Sequence, residues 1–557
     1  MVGFHLVTDP LFRAHPAVLH PGSVGGAGHG GPVVTLAKEP EYESFGATTF
    51  ETHVRRTMSF SHECLDTLPA LAWLFLWSSD GQGHLLHGTA VEVGPEEFFE
   101  GCFAGEWGEN LTEVGNVFGS GMRMHGSGWT VITPSHTLEA VFLYRHQGGW
   151  GVSNSLALLL EYHRIELPWD PLYGAKFASA CVGIGAYEKL IFRTLDGEVF
   201  RVLYDNVELT LDGNYRFLQK PSPPPFACYE DYVGYLTETL CKAFATAAQK
   251  GRAFIYAPLA TCSTGYDSAA GAAIARRLGC GEAVTVRTAR GGEVDSGRPV
   301  GEALGLQVHE VARTDTVEGS FAQVAEFLGS GMGGEDYCYL GFAPLLAGRI
   351  LLTGFHGDKI WEMRVGPNAV LSRGDISGSS LQEFRLRRNF LHIPIPLIAA
   401  TRHADIAAIS RSPEMAPYQL LNDYDRPIPR RLLEESGVAR ALFGQHKKAA
   451  STLLFQNPHL LGPIAQGECE SLVPAEWLRS AESQLRKGIW MVRVSGFQAF
   501  NRIGGASADW IKRVFISDWR VFEHSHARSA LHFCAAIAYL RLDYNRSLKG
   551  RAAHSIS

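Results

Sequence analysis

Residues 261–273, "TCSTGYDSAAGAA", follow the apolar run "AFIYAPLA" (253–260) and lead into an alanine-rich stretch. We predict a buried strand, a short polar loop and a helix beginning near residue 268. In a parallel sheet, loop amides and helix N-termini at the carboxyl ends of strands form anion sites. Gly265 permits close approach of the backbone to a phosphate, and Ser263, Thr264 and Ser268 add hydroxyl donors. A capped helix start, closed by Asp267 or Ser263, is the structural alternative.

A second strand, in "RILLTGFHGDKIWE" (349–362), also runs into a glycine-containing loop that carries a carboxylate, Asp358. Asp267 would repel a bare phosphate, but both aspartates become useful if a magnesium ion lies between them and the phosphates. The two loops therefore predict a Mg²⁺-nucleotide site at one edge of a parallel sheet.

The chain changes character at the proline tract 221–225, where we place a domain boundary. Residues 1–220 carry short apolar or alternating runs and two Asp-Gly turns, which predict a strand-rich region. After the tract, strands alternate with helices, which predicts a parallel sheet covered by helices. From about residue 380 we expect a mostly helical region.

The 557-residue chain has a formal net charge of −7, no basic cluster, and ten scattered cysteines without CxxC spacing. This composition argues against a nucleic-acid partner, a zinc site and a disulfide framework. The first ten residues lack signal-peptide character, and the longest apolar stretch, 68–77, is too short to span a bilayer. We expect a soluble cytoplasmic protein without a membrane partner; whether it forms a homo-oligomer stays open.

Gly26, Gly28 and Gly31 have the GxGxxG spacing of dinucleotide-binding loops. That fingerprint requires a strand before the glycines and a helix after them, whereas here a strand-like run follows. We interpret the segment as a plain loop.

The two loops carry a family resemblance. "STGYDS" resembles the SGGxDS signature of the PP-loop ATP pyrophosphatases, and "LLTGFHGDKIWE" resembles the LLTGxGxDExxxG signature of their asparagine synthetase branch. The resemblance covers about residues 225–450. Thr264 replaces a glycine of the first signature, and Lys359-Ile360 replace the residues that usually follow the aspartate of the second.

The resemblance implies a PP-loop (HUP-like) ATP-binding synthetase domain that binds ATP and Mg²⁺, adenylylates a carboxylate, releases pyrophosphate and passes the acyl group to an amine. It assigns nucleotide binding to Ser263, Thr264, Gly265, Tyr266, Asp267, Ser268 and Gly354, and the metal to Asp267 and Asp358. The segment "ALFGQHKKAAS" (441–451) resembles the family's lysine segment, so Lys447 is the catalytic candidate and Lys448 the alternative. An exposed basic helix start would explain either lysine equally well.

The first 220 residues resemble, in outline, the glutaminase (Ntn-type, αββα-like sandwich) domain of glutamine-dependent asparagine synthetases. That domain has a catalytic cysteine directly after the initiator methionine, whereas this sequence has Val2. The resemblance therefore implies a degenerate glutaminase-like domain, 1–220, before a synthetase domain, 225–557. β-Lactam synthetases and lasso-peptide cyclases share this situation.

Our leading hypothesis is an amide-forming ligase that acts on a small-molecule or peptide carboxylate and an amine without hydrolysing glutamine itself. Another PP-loop reaction, such as sulfur transfer to a nucleoside, is a second hypothesis. A third is a non-catalytic nucleotide-binding protein, which the substitutions at Thr264 and Lys359 motivate.

Overall fold

The structure is a computed structural model that describes residues 60–481 and 518–554, apart from residues 127, 315, 332, 364–374, 453 and 455–459. Val2, the glycine-rich stretch 22–32 and the strand-like run 31–37 lie outside the described residues. The described chain has a mixed α/β fold with three sheets, one of which has five strands that are all parallel.

The region before the proline tract is strand-rich, as predicted. Its strands are β1 Phe60–Cys64, β2 Trp73–Ser78, β3 Gly83–His87, β4 Glu92–Val93, β5 Glu97–Phe103, β6 Val117–His125, β7 Gly128–Ile132, β8 Val141–His146, β9 Gly149–Ser153, β10 Leu190–Arg193, β11 Gly197–Val202, β12 Asn206–Leu209 and β13 Tyr215–Leu218. They form a seven-stranded sheet, β1-β3-β2-β9-β8-β11-β10, and a six-stranded sheet, β13-β12-β7-β6-β5-β4. Each Asp-Gly turn connects the two strands of an antiparallel hairpin, β10–β11 and β12–β13, which confirms that prediction.

The two sheets pack face to face because their strands alternate between two apolar environments. Trp73 and Phe75 of β2 lie in one core with Trp129 of β7, from the other sheet. Leu74, between them in sequence, faces the opposite side and packs in the core that contains the first helix, Leu156–Tyr162. The result is a sandwich with a helix on the outer face of the seven-stranded sheet.

The parallel sheet follows the proline tract. Its strands are β14 Ala257–Thr261, β15 Glu282–Val286, β16 Gln307–Val311, β17 Arg349–Thr353 and β18 Phe390–Pro394, in the order β16-β15-β14-β17-β18. The first four confirm the predicted alternation. The fifth was not predicted: the described part of the chain after residue 380 is mostly helical, as expected, but it also contains β18. β18 is an edge strand, where a terminal proline such as Pro394 is tolerated.

The helices are α1 Leu156–Tyr162, α2 Tyr173–Ala178, α3 Tyr229–Ala247, α4 Tyr266–Arg277, α5 Arg298–Ala303, α6 Ala322–Leu328, α7 Ala343–Leu346, α8 Gly357–Ile360, α9 Gln382–Arg388, α10 His403–Ser410, α11 Pro427–Glu435, α12 Pro463–Ser471 and α13 Asp518–His554. None of the helices in the described ranges is long and apolar enough to cross a membrane.

Residues 219–227, around the prolines, have no helix or strand. Contacts on both sides of this segment nevertheless connect the two regions: Thr246 of α3 exchanges hydrogen bonds of 3.1 and 2.8 Å with the backbone of Phe103 in β5. At the other end, α13 packs on α1 and α2, with Phe533 against Tyr173 and Phe177. The domain boundary at the prolines stays a prediction.

Candidate functional site

The loop Cys262–Gly265 connects β14 to α4, as the sequence predicts. Ser263 Oγ accepts a hydrogen bond of 3.1 Å from the Gly265 amide and lies 2.8 Å from Ser268 Oγ. Gly265 has an extended backbone and precedes the first residue of the helix. The loop therefore folds back on the start of α4, with two serine hydroxyls side by side.

The second predicted loop follows β17 and lies at the same edge of the sheet because β17 is the parallel neighbour of β14. Two glycines allow it to touch the start of α4. A Cβ atom on Gly354 would lie 2.3 Å from the Ser268 nitrogen, and one on Gly357 would lie 2.4 Å from Cγ of Asp267. Any larger residue at either position would push the two loops apart, so these glycines bring Asp358 close to Asp267.

Both loops line one cavity of about 260 Å³. The predicted site residues that line it are Ser263, Gly265, Asp267, Ser268, Gly354, Asp358, Lys447 and Lys448. Two others do not. The Thr264 hydroxyl instead donates a 2.5 Å hydrogen bond to Asp295, and the Tyr266 side chain is fully buried, with its hydroxyl bonded to Arg430.

Asp267 combines an ion pair with an unused oxygen. Its Oδ2 accepts a hydrogen bond from Arg426, and its buried Oδ1 has no hydrogen-bond partner among the described residues. Burial raises the pKa of Asp267, Arg426 opposes this effect, and the neighbouring Asp358 charge adds to it. A cation placed between the two aspartates would relieve their repulsion and supply a partner for Oδ1.

These residues fit a magnesium ion better than a metal held by protein alone. Within the described residues, no group of three or more His, Cys, Asp or Glu side chains is arranged to hold a metal. Mg²⁺ commonly uses only one or two carboxylates and takes its other ligands from water and substrate phosphates. The described residues of the cavity wall include five aspartates against three lysine or arginine side chains, so a bare polyphosphate would meet a net negative surface.

The two candidate lysines occupy different ends of the cavity. Lys447 Nζ lies 3.3 Å from Asp358 Oδ2 and its side chain is 66% exposed. Lys448 is 23% exposed, donates to the Val294 carbonyl at 2.5 Å and lies 3.0 Å from the Thr264 hydroxyl. Lys447 therefore belongs to the aspartate end and Lys448 to the serine loop.

Our reading of the sequence missed several residues of this cavity, among them Arg426, Tyr424 and His356. Arg426 meets Asp267 across 159 positions of sequence, so no local pattern could indicate the pair. His356 did carry a signal, since it stands where the second signature has a glycine. Its backbone adopts the left-handed conformation, with φ of 64°, that glycine usually supplies.

No family model matches the chain, and the search of curated proteins found no match either. The resemblance to the asparagine synthetase branch therefore stays a prediction that depends on the two loop motifs and on the geometry around them.

Proposed function

We propose that this chain is an ATP-dependent amide-forming ligase of the asparagine synthetase type. The observation that carries the proposal is the convergence of two loops, each after a neighbouring parallel strand, on one cavity that contains Asp267, Asp358 and two lysines. Parallel sheets bind ligands at this edge, where strand ends and helix starts meet.

The reaction would begin when a substrate carboxylate oxygen attacks the α-phosphorus of ATP. The bond between the α-phosphorus and its bridging oxygen to the β-phosphorus breaks, pyrophosphate leaves, and an amine then displaces AMP from the acyl-adenylate. Catalysis of such steps depends on positioning and on neutralising the charge that develops on phosphate oxygens.

The residues divide this work by position. Ser263, Ser268 and the Gly265 amide would hold pyrophosphate, with Lys448 fixing their loop. Asp267 and Asp358 would hold Mg²⁺, whose charge would offset that of the phosphates. Lys447, next to Asp358, would stabilise charge on the leaving group.

The same proposal assigns a domain type to each of the two regions. The parallel sheet with α4 would be a PP-loop (HUP-like) domain within residues 225–557, and the sandwich would be an Ntn-type domain within residues 1–220. The buried thiols offer little nucleophilic character, since burial raises the pKa of both Cys102 and Cys262 to about 12. We propose that the amine comes from a source other than glutamine hydrolysis by this chain.

A non-catalytic nucleotide-binding protein is the second candidate. The ion pair between Arg426 and Asp267 favours it, because Arg426 already neutralises a carboxylate that the ligase needs for its metal. Binding of nucleotide without pyrophosphate release would follow if this pair never opens.

The test is pyrophosphate release from ATP and Mg²⁺ by the purified chain, measured across amino acids, organic acids and short peptides, with ammonia or glutamine as the nitrogen source. The ligase predicts release that depends on one class of carboxylate, with product formed from ammonia but not from glutamine. Tight ATP binding with no release for any carboxylate would favour the second candidate. Product formed from glutamine would contradict the proposed nitrogen source.

A further inference from the structure

A second cavity, of about 380 Å³, lies next to the nucleotide cavity. Small-molecule sites generally occupy roughly 300–1,000 Å³, so this space is large enough for an organic substrate. Its walls come from both sides of the proline tract: Val182 and Ile184 from the first region, Ile360 and Leu397 from the second. Most of the other lining residues are small or uncharged, so the cavity has an apolar character.

His356 lines both cavities, and no other described residue does so. Its Nε2 lies 2.9 Å from the Ser377 carbonyl oxygen, and its Nδ1 lies 3.9 Å from Asp375 Oδ1. A non-glycine residue in the left-handed conformation is uncommon, and such strained positions cluster at functional sites. The His356 side chain therefore lies between the two cavities and forms part of the wall of each.

The second cavity has one positively charged side chain in its described wall and no carboxylate to balance it. Lys359 is the only Lys, Arg, Asp or Glu among the described residues of its wall. Its backbone amide donates to the His356 carbonyl, but its ammonium group forms no hydrogen bond or ion pair with any described residue. It follows directly after Asp358, which lines the nucleotide cavity. A lysine in an apolar wall favours an anionic ligand group and disfavours an ammonium group.

We propose that the second cavity binds the apolar body of a monocarboxylic acid and that Lys359 draws its carboxylate toward the nucleotide cavity past His356. The site would thus select an acid with one charged end and an uncharged body. A second carboxylate on the body would find no further lysine or arginine among the described residues of the wall. This inference rests on the proposed function for the fate of the acid, but its binding step is independent of nucleotide chemistry.

Two variants test the binding step. Gly185 lines the cavity, and an added Cβ there meets no atom within 4 Å, so Gly185→Leu fills space without disturbing a packed neighbour. Lys359→Gln removes the charge and replaces the ammonium group by a polar amide on a side chain that is one atom shorter. The control is Gly467→Leu, on α12, where an added Cβ also meets no atom within 4 Å and which lines neither cavity.

The measurement is calorimetric titration, without nucleotide, of benzoate, phenylacetate, 4-phenylbutyrate and octanoate, each beside its primary amide. We expect at least one acid to bind more tightly than its amide, and Gly185→Leu to weaken both about tenfold or more. Lys359→Gln should weaken the acid about tenfold and bring it close to the amide. No binding by any acid, or equal binding by wild type and both variants, overturns the proposal.

Pyrophosphate release with the tightest acid separates this inference from the proposed function. Binding that responds to both variants, without pyrophosphate release, supports the acid site and contradicts the ligase. Acid-dependent release that is unchanged in Gly185→Leu and Lys359→Gln supports the ligase and overturns the acid site. Release that falls in both variants, but not in Gly467→Leu, supports both.

Discussion

Arg385 donates hydrogen bonds of 2.7 and 2.8 Å to the two carboxylate oxygens of Glu100, and both side chains are almost completely buried. Glu100 lies on β5 of the sandwich and Arg385 on α9, so the pair connects the two regions of the chain. Arg385 Nε also lies 2.9 Å from Glu139. Burial alone would raise the pKa of Glu139, but Arg385, His136 and His392 together lower it to about 2.

Arg385→Met should lower the free energy of unfolding by about 3–5 kcal/mol, because it leaves Glu100 and Glu139 buried without their cation. Denaturant titration at neutral pH measures this loss. The control is Arg193→Met, whose exposed ion pair with Glu198 should contribute less than about 1 kcal/mol. An equal, small loss for both variants would contradict a structural role for the buried pair.

Asp267→Asn should reduce ATP-dependent pyrophosphate release by about 100-fold or more, since a neutral amide cannot offset the metal charge next to Asp358. The fold should persist, because the change is isosteric and Glu362, 3.6 Å from Arg426, still balances the charge of that buried guanidinium. Circular dichroism checks the fold, and Glu238→Gln, at an exposed helix position, serves as the control. Undiminished release by Asp267→Asn would rule out our assignment of the site.

Gly354→Ala should damage the site without touching any charged group. Its Cβ would lie 2.3 Å from the Ser268 nitrogen and 2.4 Å from the Asp267 carbonyl carbon, so the two loops would have to separate. We expect weaker ATP binding and a lower melting temperature. Gly281→Ala, where the added atom meets nothing within 4 Å, should leave both unchanged. Normal ATP affinity in Gly354→Ala would show that close contact of the loops is unnecessary.

The two lysines should separate kinetically. Lys447→Met should lower kcat about 100-fold with little change in KM for ATP, because Lys447 is exposed and faces the aspartates, where leaving-group charge develops. Lys448→Met should mainly raise KM for ATP, because Lys448 holds the Thr264 end of the serine loop. Steady-state kinetics with a saturating carboxylate distinguishes the two, and the reverse pattern would exchange their roles.

Lys220 should make stability depend on pH. Its ammonium group donates to the Thr133 carbonyl and to Asn206, yet burial lowers its pKa from the ordinary value of 10.5 to about 7. Between these values the unfolded chain binds the proton and the folded chain releases it, so this contribution to stability falls as pH decreases from 10.5 to 7.

Relative to Lys220→Met, the wild type should therefore gain about 2 kcal/mol in free energy of unfolding between pH 7 and pH 9. Denaturant titrations of both proteins at the two pH values measure this difference. A difference that is the same at both pH values would indicate that Lys220 keeps an ordinary pKa in the folded chain.

The sequence predicted the features of the site that are local. The strand, polar loop and helix around residues 261–273 follow from composition, and Asp267 follows from its place in that loop. Tyr266 shows where local reasoning stops: it shares a helix face with Ala269, Ala270 and Ala273, all fully buried, so its side chain faces the core and not the cavity. Position within a motif did not determine which way that side chain points.

The remaining features depend on tertiary contacts. Arg426 reaches Asp267 only because α11 packs on α4, which no spacing in the sequence encodes. The strand β18 was missed because its run, "FLHIP", is short and is followed by further apolar and proline residues that obscure where a strand would end. The run adopts the strand conformation because it pairs with β17, a strand that is distant in sequence.

The packing of α13 has a consequence for folding during synthesis on the ribosome. Arg541 lies 3.0 Å from Glu161 of α1, and Ser547 donates to the Thr67 carbonyl at 2.7 Å, so α13 covers segments that are synthesised 380 and 480 residues earlier. At ordinary rates of translation, α13 is synthesised roughly half a minute after α1 and α2. Until then Tyr173 and Phe177 lack the Phe533 ring that covers them, and this surface is where a nascent chain would be open to chaperones or to premature association.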